Sequence, residues 1–108
     1  MGLKNLFKKK EQNYIIESNT PIDSLLPIGS IVTLPDINYR MMIIGIKQLS
    51  MDNHEYDYIG VPYPSGLVGE DSLLMFNDEE ILEVNYVGFQ DSERFKFIED
   101  FKEYLGKR

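Results

Sequence analysis

The order of apolar and polar positions divides the chain into five extended segments and one helix. Ser30 to Leu34 reads as a first strand. Pro35-Asp36-Ile37-Asn38 ends it, because proline presets φ and Asp and Asn tolerate turn geometry. Tyr39 to Leu49 is the second strand. Its run Met41-Met42-Ile43-Ile44 lacks alternation, which predicts burial on both faces and a central place in the sheet. Gly45 within it predicts a bulge or sharp bend that lets the sheet curl. Ser50 to Asn53 turns the chain into a third strand, His54 to Tyr63. There Tyr56, Tyr58 and Gly60 share one face, and Asp57, Ile59 and Val61 the other. Pro62 and Pro64 stop it, since two prolines cannot both serve a central ladder.

Gly66 to Ser72 is a loop, followed by a short strand, Leu73 to Phe76. Asn77-Asp78-Glu79-Glu80 predicts a capped helical turn, with Glu80 reaching back to the Asn77 N–H. Ile81 to Phe89 is the last strand, with Leu82, Val84 and Tyr86 on a half-buried face and Glu83 and Asn85 on the other. Asp91 or Ser92 then caps a helix that ends near Leu105, with Gly106 placed to stop it. Glu93 near its start and Lys107 and Arg108 near its end suit the helix dipole. Phe95, Ile98, Phe101 and Leu105 form an apolar stripe, flanked by Phe97 and Tyr104, that reads as the cover of the sheet.

Ahead of these elements, Tyr14-Ile15-Ile16 is a short strand or an extended packing arm, broken by Asn19, Thr20 and Pro21. Pro27 holds Leu26 extended, and Gly29 allows a sharp turn into the first strand. The prediction is an α+β fold: a curled antiparallel sheet or small half-open β-barrel of about five strands with a C-terminal helix. Residues 1–22 form a basic, partly flexible N-terminal arm, and residues 23–108 a single domain.

The 108 residues fit one domain, and 43% hydrophobic and 12% aromatic residues support a packed core. Cysteine is absent, which excludes disulfides, thiolate metal sites and cysteine nucleophiles. With one histidine, His54, a zinc site is not expected, and no cofactor is. Neither a signal peptide nor an apolar run of membrane-spanning length is visible, so the cytoplasm is the expected compartment. The net charge of −7 is unevenly placed. Residues 1–10 hold Lys4, Lys8, Lys9 and Lys10 and no acid; residues 11–108 hold 7 basic side chains against 18 acidic ones, a net of −11. Such a body repels phosphate backbones and suits a basic protein partner rather than nucleic acid. Leu3, Leu6 and Phe7 sit at helical spacing among the lysines, so membrane contact through residues 1–12 is weighed against a solvated start; the solvated start is the reading adopted.

The residues offer little catalytic chemistry. No phosphate-binding glycine loop occurs, and Gly66-x-x-Gly69 is followed by Glu70 and Asp71, the wrong charge for RNA. His54, with Ser50, Asp52 and Glu55 nearby, reads as a polar hairpin tip, because these residues sit in one turn. Asp78, Glu79, Glu80 and Glu83 read as a solvated face, since the alternating ligands of a calcium loop are missing. Tyr56, Tyr58, Tyr63 and Pro64 carry the candidate binding site: strand tyrosines beside Pro-x-Pro can form an aromatic groove for a peptide. The competing reading packs these rings with their hydroxyls at the rim.

Three stretches stand in a recognisable order: Leu25-Leu26-Pro27-Ile28-Gly29-Ser30-Ile31-Val32, Met42-Ile43-Ile44-Gly45, and Tyr56-Asp57-Tyr58-Ile59-Gly60-Val61-Pro62-Tyr63-Pro64-Ser65-Gly66. Phe76-Asn77-Asp78-Glu79-Glu80-Ile81 and Val84-x-x-Val87-Gly88-Phe89 continue it. The order resembles that of the domain of unknown function 4176 family, small proteins of Gram-positive bacteria associated with type VII (ESX-like) secretion and toxin loci. The family has no established catalytic residues to carry over. The resemblance implies a cytoplasmic, non-catalytic accessory protein that binds a secretion substrate or toxin as adaptor or chaperone. Its alternatives are an immunity protein that neutralises a cognate toxin by an acidic surface, and a small metal- or ligand-binding enzyme using the carboxylates near Asp78 to Glu83. Oligomeric state is not legible in the sequence.

Overall fold

The computed structural model describes residues 16–106. Five strands form one sheet: β1 (Ile31–Thr33), β2 (Arg40–Leu49), β3 (Glu55–Tyr63), β4 (Leu74–Phe76) and β5 (Glu83–Tyr86). A single helix, α1 (Ser92–Gly106), follows. The strand order is β4-β3-β2-β1-β5, and every neighbouring pair is antiparallel. The fold is α+β as expected, and of the two expected forms the sheet is the open one. Its edge strands, β4 and β5, have three and four residues and lie at opposite ends of the order, too short to wrap round and close a barrel.

The strand β2 is central, as its apolar run predicts. Its pairing slips between Ile43, opposite Gly60, and Gly45, opposite Ile59, so one residue is inserted. That bulge returns the side-chain alternation to the core: Met41, Ile43 and Ile46 are all buried in one cluster. A Cβ on Gly45 would lie 2.8 Å from Ile59 Cγ2 and 2.9 Å from Gln48 Nε2, so only glycine fits without displacement. The expected burial of the run on both faces is corrected here, because Ile44 is exposed and Met42 half-buried. One helix can cover only one face of a sheet.

The core joins Val32, Leu34, Met41, Ile43, Ile46, Tyr58 and Phe76 of the sheet region to Ile22, Leu25 and Ile98. Ile98 is the buried residue of α1, worth about 2 kcal/mol by transfer from water. Phe101 and Leu105 pack against the same cluster, but Phe95 is exposed, so the predicted stripe is narrower than its spacing suggests. Asp91 is the cap: its Oδ1 accepts from Arg94 N at 3.1 Å and its carbonyl from Phe95 N at 3.1 Å. Lys102 to Asp23 (3.2 Å) and the Arg94 guanidinium to the Leu25 carbonyl (3.0 Å) tie the helix to the segment around the 3-10 turn Ile22–Ser24.

Residues ahead of position 23 also make contacts with the sheet. Ile16 makes a parallel bridge with His54, its N–H donating to Asn53 O and its carbonyl accepting from Glu55 N, both at 2.8 Å. Ile22 belongs to the core. Residues 16–22 are thus stitched to the body, whereas the basic run and Tyr14-Ile15 lie outside the described residues. Among the described residues no helix is long and apolar enough to cross a membrane.

Candidate protein-binding surface

The four predicted contact residues do not form one surface. Tyr58 is 0% exposed, its ring 5.4 Å from Phe76, and it is therefore a core residue and no contact for a partner. Its position follows from register: Tyr58 lies opposite Ile46 on one side and Phe76 on the other, both core residues. Tyr56 shares that face of β3, is half-buried, and meets the His54 ring edge-on at 6.3 Å. Tyr63 is 41% exposed and pairs with Arg40 on the opposite face, with exposed Pro64 after it. Tyr56 and Tyr63 are seven residues apart, roughly 23 Å along the strand.

Two buried polar groups at the edge of β3 do structural work. The Asp57 carboxylate, fully buried, accepts from the Ser18 hydroxyl, from Thr20 Oγ1 at 2.7 Å and from Asp78 N at 2.8 Å. The Asp57 N–H donates to Asn77 Oδ1 at 3.1 Å. Beside them Lys47 Nζ donates to the Thr20 carbonyl at 3.1 Å and lies 3.8 Å from Glu55 Oε1, both side chains buried. The Tyr58 hydroxyl donates to Asp78 Oδ1, and Glu80 Oε2 accepts from Asn77 N at 3.0 Å, the expected reach-back. Asp78 and Glu80 are thus engaged in holding the 3-10 turn Asp78–Glu80 against β3. At the hairpin tip the Ser50 hydroxyl donates to Asp52 and accepts from the His54 N–H, so serine and imidazole are not joined as nucleophile and base.

The surface that lacks cover lies elsewhere, along β5 and the start of α1. All four residues of β5 are exposed, against the expected half-buried alternation, because no layer of the described residues lies over this edge. Leu82 and Val87, which flank the strand, are exposed with them. Gly88 then passes against the backbone of residues 28–30, its N–H donating to the buried Ser30 Oγ at 2.9 Å. That contact turns Phe89 outward, 78% exposed. Phe89, Phe97 (50% exposed), Phe101, Ile28 and Ile46 line a groove of about 640 Å³ between α1 and the sheet. Phe97 and Phe101 stack at 5.5 Å along one side of the helix.

Acids border this apolar strip: Asp91 and Glu93 line the groove, and Glu83 lies in β5. From Asp78 to Glu93 the chain carries six acids, Asp78, Glu79, Glu80, Glu83, Asp91 and Glu93, and no Lys or Arg. The basic residue lining the groove, Arg94, has its guanidinium on the Leu25 carbonyl. Exposed aromatic rings rimmed by charge are the composition of a protein-binding patch. Sequence reasoning placed Phe89 in a strand and Phe97 beside a core stripe. The available signal was that aromatics at 95, 97, 101 and 104 point round too much of a helix to be buried on one face.

A family model described as a domain of unknown function (DUF4176) matches residues 25–97. That span holds all five strands, Phe89 and the first turns of α1 to Phe97. No curated protein and no solved structure matches the chain.

Proposed function

We propose that this chain, which belongs to the DUF4176 family, is a non-catalytic, cytoplasmic accessory factor that binds a protein through the groove between α1 and the sheet. The observation that supports the reading most is the exposed pair Phe89 and Phe97 in an apolar groove beside an uncovered strand. Rings of this size left in water are costly to a monomer and contribute most when a partner buries them. The resemblance noted in the sequence supplies the context: an adaptor or chaperone linked to type VII secretion of toxins. An immunity role is a second reading, favoured by the exposed Glu83 and the groove acids Asp91 and Glu93, which suit a basic toxin surface.

The test is affinity capture of tagged chain from host cells, with a Phe89→Ser/Phe97→Ser variant in parallel. Stoichiometric recovery of a secretion substrate by the parent and not by the variant is the expected result. Equal recovery by both discards this surface, and recovery of no partner by either discards the accessory-factor reading. Capture of a toxin whose lethality the chain abolishes on co-expression selects the immunity reading.

A further inference from the structure

Asp91, Glu93 and Arg94 line the groove where α1 starts, and Phe97 and Phe101 line it one and two turns further along. Its volume of about 640 Å³ is that of a ligand-binding cleft, roughly 300–1,000 Å³. The basic side chains of the described part of α1 are all engaged. The Arg94 guanidinium donates to the Leu25 carbonyl at 3.0 Å. Lys96 is held by Asp100 at 3.1 Å and Lys102 by Asp23 at 3.2 Å. The two groove acids are not matched in this way. Asp91 uses Oδ1 to cap the helix, accepting from the Arg94 N–H at 3.1 Å. Among the described residues neither Asp91 nor Glu93 forms an ion pair, and Glu93 is exposed. A partner that buries Phe89 and Phe97 therefore comes down beside two carboxylates without a counter-charge. A neutral or acidic segment strips water from them at a cost, whereas a cation beside them offsets it.

We propose that the groove takes a basic segment of the partner protein, one that sets a large apolar side chain close to a Lys or Arg. The apolar side chain packs against Phe89 and Phe97, and the cation lies against Asp91 and Glu93. The inference rests on the protein-binding reading above and adds the chemistry of the occupant. The rings supply most of the affinity, as buried aromatic anchors do, and the acids supply the choice between partners. A second copy of this chain is disfavoured as the occupant. It brings the same acids to the same groove and a second net charge of −7.

The experiment selects short random peptides displayed on phage against the full chain, then measures the affinity of the synthetic winners at low salt. The expected winners are enriched, over the starting library, in Lys or Arg within a few residues of a large apolar side chain. Asp91→Asn/Glu93→Gln removes both charges and keeps the helix cap, since asparagine caps as well as aspartate. It should weaken the winners about fivefold. Raising the salt to about 0.5 M should weaken binding to the parent by a similar factor and binding to the double variant little. Should the double variant fail to fold, the salt dependence of the parent decides. Acidic or uncharged winners, no winners, affinity that salt leaves unchanged, or equal affinity for the parent and the double variant overturns the proposal. Peptides lost with Phe97→Ser but indifferent to Asp91→Asn/Glu93→Gln overturn the basic occupant while leaving the groove reading intact. Peptides indifferent to both variants overturn the groove reading as well. A dimer of the unliganded chain that Phe89→Ser/Phe97→Ser dissociates overturns the proposal in favour of a second copy. Winners obtained only when Lys8, Lys9 and Lys10 are replaced by Glu overturn it in favour of the chain's own basic arm.

Discussion

The Tyr58 hydroxyl donates to Asp78 Oδ1 at 2.7 Å while accepting from the Leu26 N–H at 2.9 Å. One buried phenol thus ties the middle of β3 to the turn before β5 and to the segment before β1. Burial, and then the carboxylate of Asp78, push its pKa well above the ordinary 10.0. Phenylalanine at this position keeps the ring packing and leaves the Leu26 N–H without that acceptor. Tyr58→Phe should cost about 1–3 kcal/mol in urea denaturation at neutral pH.

The same residue sets a pH dependence. An acid whose folded pKa is raised contributes stability that is complete below its unfolded pKa and is lost as pH rises toward the folded one. The stability advantage of the parent over Tyr58→Phe should therefore be constant to about pH 10 and shrink above it. Denaturation curves of both proteins across the alkaline range measure this, and a gap that widens there contradicts the assignment.

Asp57 anchors residues 18–20 and the turn at Asp78 through three accepted hydrogen bonds. Asparagine can keep its oxygen on Thr20 and Asp78 and donate its amide to the Ser18 hydroxyl. Asp57→Asn should cost about 1 kcal/mol, and Asp57→Leu, which abandons every donor, about 3 kcal/mol or more. Hydrogen exchange should show residues 18–20 losing protection in the leucine variant before the strands do.

Two glycines separate steric from conformational demand. A Cβ on Gly88 would lie 2.2 Å from the Ile28 carbonyl oxygen, backbone that cannot move aside cheaply. Gly66, at φ +78, has open space around its Cβ position. Gly88→Ala should cost about 3 kcal/mol and Gly66→Ala about 1 kcal/mol, compared by thermal melting.

Phe89 and Phe97 contribute little to the fold if their exposure reflects function. Phe89→Ser and Phe97→Ser should each change stability by about 0.5 kcal/mol or less while abolishing partner capture. A loss of several kcal/mol in either variant would make the ring structural and remove it from the binding surface.

Much of the fold was legible because it rests on local chemistry. Five strands, the bend at Gly45, the turn at Gly29 (φ +92), the link from Asn77 to Glu80 and the Asp91 cap follow from residue type and spacing. The binding residues were read less well. Tyrosines at 56, 58 and 63 look alike as a pattern, yet one is in the core and two lie on opposite faces.

By itself the sequence determined which segments extend, where they turn, which way the helix runs and how the charge is divided. Only tertiary structure decided the strand order, and with it that β5, among the described residues, lies at an edge of the sheet. Alternation states which side chains share a face. It says nothing of which face a single helix will cover, or of whether a neighbouring strand exists. Both depend on contacts between residues far apart in the chain, such as Gly88 against Ile28, and that packing is what turns Phe89 out toward solvent.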